Sequence, residues 1–187
     1  VGPAALLAVA AGIAVTGALH EDGLADTADG FGGGRSRDHK LAIMHDSAQG
    51  TYGVLALVLS VGLRVTAIAA IGDPVFVGLA LVAAHAASRA VLPSAMLLLR
   101  PARDNGLGAA AGRPSGTIAA LAALIGAAIV LATLGPLTGA LALLLASGAV
   151  ALAGMLARRQ IGGYTGDVLG FFQQIGEIVM LLVAAAR

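Results

Sequence analysis

Three aspartates near the start of the chain have the spacing of carboxylates that share one face of a helix. They are Asp22, Asp26 and Asp29, separated by four and then three residues. Residues at these separations lie on one side of an α-helix, where like charges repel each other. A bound cation removes that repulsion, and oxygen ligands without cysteine favour Mg²⁺, Mn²⁺ or Ca²⁺. The spacing therefore predicts a divalent metal site, against the alternative of a solvated loop whose aspartates cap turns.

A glycine-rich stretch and two arginines follow the aspartates and are typical of phosphate binding. Gly32 and Gly33 belong to this stretch, and Arg35 and Arg37 come directly after it. Glycine lets a backbone approach a phosphate closely, and arginine offers paired donors for phosphate oxygens. The same residues also fit a flexible hinge. We predict that these four residues contact an anionic substrate.

Two further aspartates are candidates for a second metal ion or for a general base. Asp46 ends residues 37–46, whose apolar positions predict a short interfacial helix. Asp167 follows a glycine-rich turn at the start of the last apolar stretch, where a carboxylate also complements the helix dipole. The sequence leaves a purely structural role open for both aspartates.

The composition of the chain indicates that a bilayer surrounds the elements that position these residues. Hydrophobic residues make up 58% of the 187 positions, and only 11% are charged, against about 25% in a soluble domain. The mean hydropathy is +0.93. A net charge of +1 gives no basic field for nucleic acid. The absence of cysteine excludes disulfides and thiolate metal sites.

Six apolar stretches are long enough, or nearly so, for spanning helices, each of which needs about 20 residues. They cover residues 3–19, 51–71, 74–99, 117–134, 137–157 and 167–186. Their many Ala and Gly residues allow close helix packing in lipid and are compatible with a homo-oligomer. We predict an all-α fold in which residues 1–187 form one polytopic, integral membrane helical bundle with about six spanning helices.

The polar segments between these stretches predict the orientation of the bundle. Residues 20–50, 100–116 and 158–166 hold eight of the eleven basic residues, whereas the other two connections are tight turns. With six spans, the three polar segments fall on one side, which the positive-inside rule identifies as cytoplasmic. This arrangement suits an enzyme with a cytoplasmic substrate better than a pore.

Arg89 lies well inside a spanning stretch, where an arginine needs a partner or a polar cavity. One interpretation is a structural ion pair with Glu177, which lies at a similar depth in the last stretch. The other is a catalytic Arg89 that lines the substrate cavity and faces phosphate. Arg64 is the weaker candidate for that cavity, since it falls near the outer half of its stretch.

Several motifs, in order along nearly the whole chain, closely resemble the cobalamin synthase family of membrane adenosylcobinamide-GDP ribazoletransferases. They cover residues 20–34, 43–47, 50–53, 88–90, 102–108 and 162–170, together with Glu177. His45 and residues 48–49 depart from the common pattern. The family usually has a further N-terminal segment, so we expect residues to precede Val1.

The resemblance implies a reaction and its participants. A hydroxyl of α-ribazole, or of its 5′-phosphate, attacks the cobinamide-bound phosphoryl group of adenosylcobinamide-GDP, and GMP leaves. It further implies Mg²⁺ as cofactor and a multi-pass protein of the bacterial inner membrane. Asp22, Asp26 and Asp29 would be metal ligands, and Arg103 a further substrate contact. A CDP-alcohol phosphotransferase and a cation transporter are the alternatives. The first lacks its Asp-Gly-x-x-Ala-Arg pattern here, and the second lacks deep carboxylates other than Glu177.

Overall fold

The computed structural model describes residues 2–103 and 106–187, and within them it contains helices and no strand. The predicted all-α fold is confirmed. The helices are α1 (Gly2–Thr16), α2 (Leu19–Gly33), α3 (Arg37–Ile43), α4 (Thr51–Ile71), α5 (Pro74–Ala90), α6 (Leu92–Leu98), α7 (Leu107–Ala110), α8 (Gly116–Leu134), α9 (Pro136–Ile161) and α10 (Gly166–Ala185). Asp104 and Asn105, which belong to the 102–108 motif, lie outside the described residues.

Five spans in the described part of the chain are long and apolar enough to cross a membrane: α4, α5 with α6, α8, α9 and α10. The protein is therefore a multi-pass membrane protein. The predicted first span, residues 3–19, is shorter than expected. Its helix α1 stops at Thr16, and α2 continues after a bend of 90°. A sixth span results only if α1 and α2 count together, and we treat the acidic α2 as lying outside the five spans.

The helices begin and end where the sequence supplies caps. The bend before α2 falls at Gly17 and Ala18, which both have positive φ angles, a conformation that is rare outside glycine. Asp73 caps α5 by accepting from the N–H groups of its first turn, and Pro74 fits the first helical position. Gly162 adopts the left-handed conformation that ends α9.

Small residues allow the spanning helices to pack closely. Ala83, Ala84 and Ala142 are completely buried. A Cβ atom on Gly126 of α8 would lie 2.5 Å from the Cβ of Ala90 on α5, so only glycine fits there. Large apolar residues point outward instead, since Leu124 is 66% exposed. This inverted pattern is the one expected where lipid surrounds the bundle.

The predicted polar segments meet at one end of the bundle. The backbone around Pro101 pairs with that around Tyr164 through two hydrogen bonds, of 2.8 and 2.9 Å. Gly163 permits this pairing, because a Cβ there would lie 1.9 Å from the carbonyl oxygen of Arg100. The remaining polar segment, residues 20–50, is joined to them by Arg37, whose guanidinium donates to the carbonyl oxygen of Ile161 at 2.9 Å. The predicted same-sided placement of the three segments therefore agrees with these contacts.

Candidate active site

The close approach of α2 to α10 brings acidic residues from distant parts of the chain together. Gly23 packs against the backbone of Asp167, where a Cβ would lie only 2.6 Å from the carbonyl oxygen. Gly170 in turn packs against the backbone of His20 and Gly23, since a Cβ on Gly170 would lie 3.2 to 3.3 Å from their backbone atoms. Two glycines, one on each helix, thus allow backbone contact beside Asp22.

Asp22, Asp26 and Asp167 form a group of carboxylates that we call the acidic cluster. Burial, together with the charges of Asp22 and Asp167, raises the pKa of Asp26 to about 6, against a hydrogen bond from Gln49. The amide nitrogen of Gln49 donates to Asp26 Oδ1 at 3.2 Å. The raised pKa means that burial, and after it the neighbouring carboxylates, disfavour the charged form of Asp26.

Asp29 follows Asp26 on α2, as the helical spacing predicts, but it has a different environment. It is buried, and its two carboxylate oxygens accept from the backbone N–H groups of Gly50 at 2.7 Å and Gly53 at 2.9 Å. A Cβ atom added to either glycine would lie within 2.4 Å of an oxygen of Asp29. Asp29 therefore anchors the start of α4, and its oxygens are already engaged.

Asp167 lies in the first turn of α10 and has two side-chain partners. Thr165 caps the helix and donates to Asp167 Oδ2 at 3.1 Å. Arg103 contacts the same oxygen at 3.3 Å, and both charged side chains are about four-fifths buried. The second polar segment thus supplies an arginine beside the acidic cluster.

Two carboxylates of the acidic cluster could contribute ligands to a hard divalent cation that a substrate also binds. Within residues 2–103 and 106–187, no group of three or more Asp, Glu or His side chains could hold a metal ion by itself. Magnesium rarely uses a site made of protein side chains alone, since it is commonly held by one or two carboxylates, substrate phosphates and water. Asp22 and Asp26 have the carboxylate oxygens and the excess negative charge that this mode requires.

The predicted phosphate-binding residues are distributed over two structural settings. Gly32 and Gly33 lie inside the last turn of α2, and Gly32 leaves room for the ring of Tyr52. Arg37 donates to the carbonyl oxygens of Ile161 and Ala102, so it joins polar segments. Arg35 is exposed. Their contact with a substrate stays a prediction.

Asp46 and Arg89 have local partners. Asp46 is exposed and accepts from the N–H of Ala48 at 3.1 Å, and the helix before it, α3, ends at Ile43. Arg89 lies near His85 on α5, and its Nη1 contacts the imidazole Nδ1 at 3.2 Å. The interpretation of Arg89 as the ion-pair partner of Glu177 is wrong, because Arg64 and His85 occupy that role.

Arg64 is the centre of a buried ion cluster that sequence reasoning missed. Its Nη1 donates to Glu21 Oε1 at 3.0 Å and to Glu177 Oε1 at 3.2 Å, and all three residues are buried. Glu21 is thus a second buried carboxylate besides Glu177, on a helix that lies outside the five spans. The sequence offered one signal for this role. Glu21 directly precedes Asp22, and adjacent residues of a helix point in different directions.

Amide and hydroxyl side chains extend the buried ion cluster. Gln174 donates to Glu21 Oε1 at 3.1 Å and accepts from Ser60 at 2.7 Å. Gln173 donates to Glu177 Oε2 at 2.6 Å and to Ser88 at 3.2 Å. These bonds connect α2, α4, α5 and α10 in one layer. A buried layer that pairs its charges internally is a structural element and does not resemble an ion path.

The fold and the site together define a class of protein. It is a multi-pass membrane protein whose carboxylates gather at one polar end of the helical bundle, as in the active site of an enzyme. The chain belongs to the cobalamin-5-phosphate synthase family, whose model matches residues 2–185. This result confirms the resemblance that the sequence motifs indicate. No solved structure is a significant match to the chain.

Similar proteins from several bacteria are named adenosylcobinamide-GDP ribazoletransferase. The protein from Bradyrhizobium diazoefficiens is 58% identical over 183 residues, which cover 98% of this chain and 70% of that protein. The protein from Mesorhizobium japonicum is 52% identical, with 98% of this chain and 71% of that protein covered. The protein from Sinorhizobium medicae is 49% identical, with coverages of 95% and 71%.

Proposed function

We propose that this protein is an Mg²⁺-dependent adenosylcobinamide-GDP ribazoletransferase, which acts in the last steps of cobalamin synthesis. It joins adenosylcobinamide-GDP to α-ribazole, or to its 5′-phosphate, and releases GMP. The observation that carries the proposal is the meeting of Asp22, Asp26 and Asp167 beside Arg103, in a chain that matches the family over its length. The proposal includes localisation in the bacterial inner membrane, and the basic polar segments support a cytoplasmic orientation of this end.

The acidic cluster supplies the oxygens for the divalent cation. Asp22 and Asp26 on α2 would hold it, and Asp167 on α10 lies close enough to act electrostatically on Asp26. When bound, Mg²⁺ neutralises phosphate charge and stabilises the leaving group in phosphoryl transfer. Asp29 was predicted as a third ligand, but its bonds to Gly50 and Gly53 favour a role in fixing α4 beside the site.

Arginine side chains complement the phosphates of the substrate. Arg103 lies in contact with Asp167, which orients its guanidinium toward the acidic cluster. Arg35, exposed at the same end of the protein, has access to a nucleotide that approaches from the aqueous side. Arginine binds phosphate oxygens through paired donors, so these residues orient the diphosphate for attack.

The transfer exchanges one phosphorus–oxygen bond for another. The attacking hydroxyl oxygen of α-ribazole forms a bond to the cobinamide-linked phosphorus, and the bond from that phosphorus to GMP breaks. GMP leaves with the electron pair, and the hydroxyl proton passes to a carboxylate or to water. Asp167 is better placed than Asp46 to accept it, because Asp167 belongs to the acidic cluster whereas Asp46 is exposed in its own turn.

Magnesium-dependent release of GMP tests the proposed function. The purified protein in lipid nanodiscs should convert adenosylcobinamide-GDP and α-ribazole into adenosylcobalamin and GMP, and a chelator should abolish the reaction. The triple variant Asp22→Asn/Asp26→Asn/Asp167→Asn should be inactive, whereas the control Asp38→Asn should retain full activity, since Asp38 is a surface residue. Release of CMP from a CDP-alcohol, without GMP release, would support the alternative phosphotransferase and overturn the proposal.

A further inference from the structure

A single guanidinium on α4 binds both helices that carry the acidic cluster. Arg64 Nη1 contacts Glu21, the residue before Asp22 on α2, and Glu177 on α10. Glu177 lies ten residues after Asp167, which is about 15 Å along the helix. Arg64 itself is 3% exposed, so it lies inside the bundle and away from an aqueous substrate.

The two helices need such a connection because their carboxylates repel each other. Asp22, Asp26 and Asp167 are close enough that their charges act together on Asp26. The backbones of α2 and α10 touch at Gly23, and beside this contact the cation of Arg103 pairs with Asp167. One cation between Glu21 and Glu177 supplies an attraction that opposes this repulsion from the interior of the bundle.

The contacts of Arg64 are concentrated on one atom. Within residues 2–103 and 106–187, its Nε and Nη2 and the Oε2 of Glu21 have no hydrogen-bond partner, although all are buried. The link that Arg64 makes between α2 and α10 therefore depends on one nitrogen, Nη1, which contacts both carboxylates. A lysine, which carries one ammonium group, can supply that kind of contact, whereas the apolar side chain of methionine has no donor.

We propose that Arg64 is a positioning residue that sets the spacing of α2 and α10, and with it the spacing of the acidic cluster. The proposal rests on the function given above only for its activity readout. Through Glu21 and Glu177, Arg64 fixes the separation of Asp22 and Asp26 on α2 from Asp167 on α10. It does not touch the substrate or the reacting atoms.

Kinetic comparison of Arg64→Met and Arg64→Lys tests this role. A misplacement of about 1 Å can cost about 100-fold in rate, so Arg64→Met should lower kcat by about that factor. It should also raise the Mg²⁺ concentration for half-maximal rate, and Arg64→Lys should restore most of both losses. The same two changes at Arg159, an exposed residue at the end of α9, provide the matched control and should change neither value.

Glu21→Gln keeps the protein testable if loss of Arg64 prevents folding. Glutamine retains the size of the side chain and an oxygen that accepts from Arg64 and Gln174, and it removes only the charge. Under the proposal it raises the half-saturating Mg²⁺ concentration without loss of secondary structure. Variants with a lower melting temperature but unchanged kcat and Mg²⁺ dependence would overturn the proposal and leave Arg64 a stability role only.

A crosslinking measurement separates this proposal from the proposed function. The chain has no cysteine, so Phe31→Cys/Phe171→Cys introduces one reporter pair where the two rings lie 6.4 Å apart across α2 and α10. A short thiol crosslinker should join them less in the Arg64→Met background and normally in the Arg159→Met background. If the wild type is inactive but crosslinking is lower with Arg64→Met than with Arg159→Met, only the proposed function is overturned. If crosslinking is equal in the two backgrounds, the positioning role is overturned.

Discussion

The helix α2 carries two groups of carboxylates whose surroundings are opposite. Glu21 faces inward to Arg64, and its charge is compensated by a buried cation. Asp22 and Asp26 face the polar end, where burial and neighbouring carboxylates leave Asp26 with a pKa of about 6. Adjacent residues on one helix therefore have different roles. The inward face stabilises the bundle, and the face at the polar end keeps unbalanced charge.

The difference shows which carboxylates can gain free energy by binding a cation. A paired carboxylate such as Glu177 gains little from a further cation, since its partners already satisfy it. An unbalanced carboxylate gains stabilisation from any cation that arrives. Variants of the two groups should consequently differ in whether stability or activity falls more, and the following predictions proceed from the largest effect to the smallest.

Replacement of Glu177 by alanine should produce the largest loss of stability. It leaves Arg64 with one carboxylate and removes the acceptor of Gln173, and breaking a buried pair from one side costs about 3–5 kcal/mol. Thermal unfolding in detergent measures the loss, with Glu177→Gln as the milder variant. A melting temperature for Glu177→Ala equal to that of the wild type would show that the buried ion cluster does not stabilise the bundle.

Replacement of Asp26 by asparagine should have the reverse profile. Changing groups that only support metal ligands costs about 10- to 100-fold in activity or affinity, so loss of a ligand should cost at least about 100-fold in GMP release. The melting temperature should stay constant or rise, because the repulsion from Asp22 is removed. Full activity in Asp26→Asn would remove this residue from the site.

Asp29 should behave like the inward group although it lies on the acidic face. Alanine there leaves the N–H groups of Gly50 and Gly53 without acceptors, at a cost of about 1–3 kcal/mol. Asp38→Ala is the surface control and should be neutral, since its side chain is 91% exposed. If Asp29→Ala unfolds at the wild-type temperature but needs far more Mg²⁺, Asp29 is a metal ligand after all.

The pH dependence of activity and stability should also differ in sign. The pKa of Asp26 rises from 3.8 to about 6 on folding, so within that window the folded state keeps a proton that the unfolded chain has lost. Its contribution to stability is largest below the window and is lost as the pH rises through about 6. Activity should show the opposite trend, because a proton on Asp26 competes with the cation.

Profiles of GMP release and of melting temperature across this window check both trends. Asp26→Asn should flatten this component of the stability profile. A wild-type rate that is constant through pH 6 would show that the protonation of Asp26 does not limit activity.

The sequence predicts the helices better than their contacts. The predicted span 51–71 coincides with α4, because its apolar run ends at Gly72 and its start follows Gly50. The bend between α1 and α2 was not predicted, since Gly17 is compatible with a helix interior as well as a break. Hydropathy gives the length of a span and not its rotation about its own axis.

That missing rotation explains the wrong partner for Glu177. Arg64 and Arg89 both lie within spanning stretches, and depth alone favoured Arg89. In the structure, Arg64 faces α10 directly, whereas His85 lies between Arg89 and Glu177. The acidic face of α2 was predictable from spacing, but the bonds that engage Asp29 depend on the packing of α4.

Direct measurement of Mn²⁺ binding tests the central claim, that the acidic cluster holds a divalent cation. Electron paramagnetic resonance reports free Mn²⁺ during titration of the protein with bound adenosylcobinamide-GDP, after correction for binding by the substrate alone. The wild type and the surface control Asp38→Asn should bind Mn²⁺ with similar affinity, whereas Asp22→Asn/Asp26→Asn/Asp167→Asn should lose that binding. Equal affinity in the triple variant and the wild type would contradict the account.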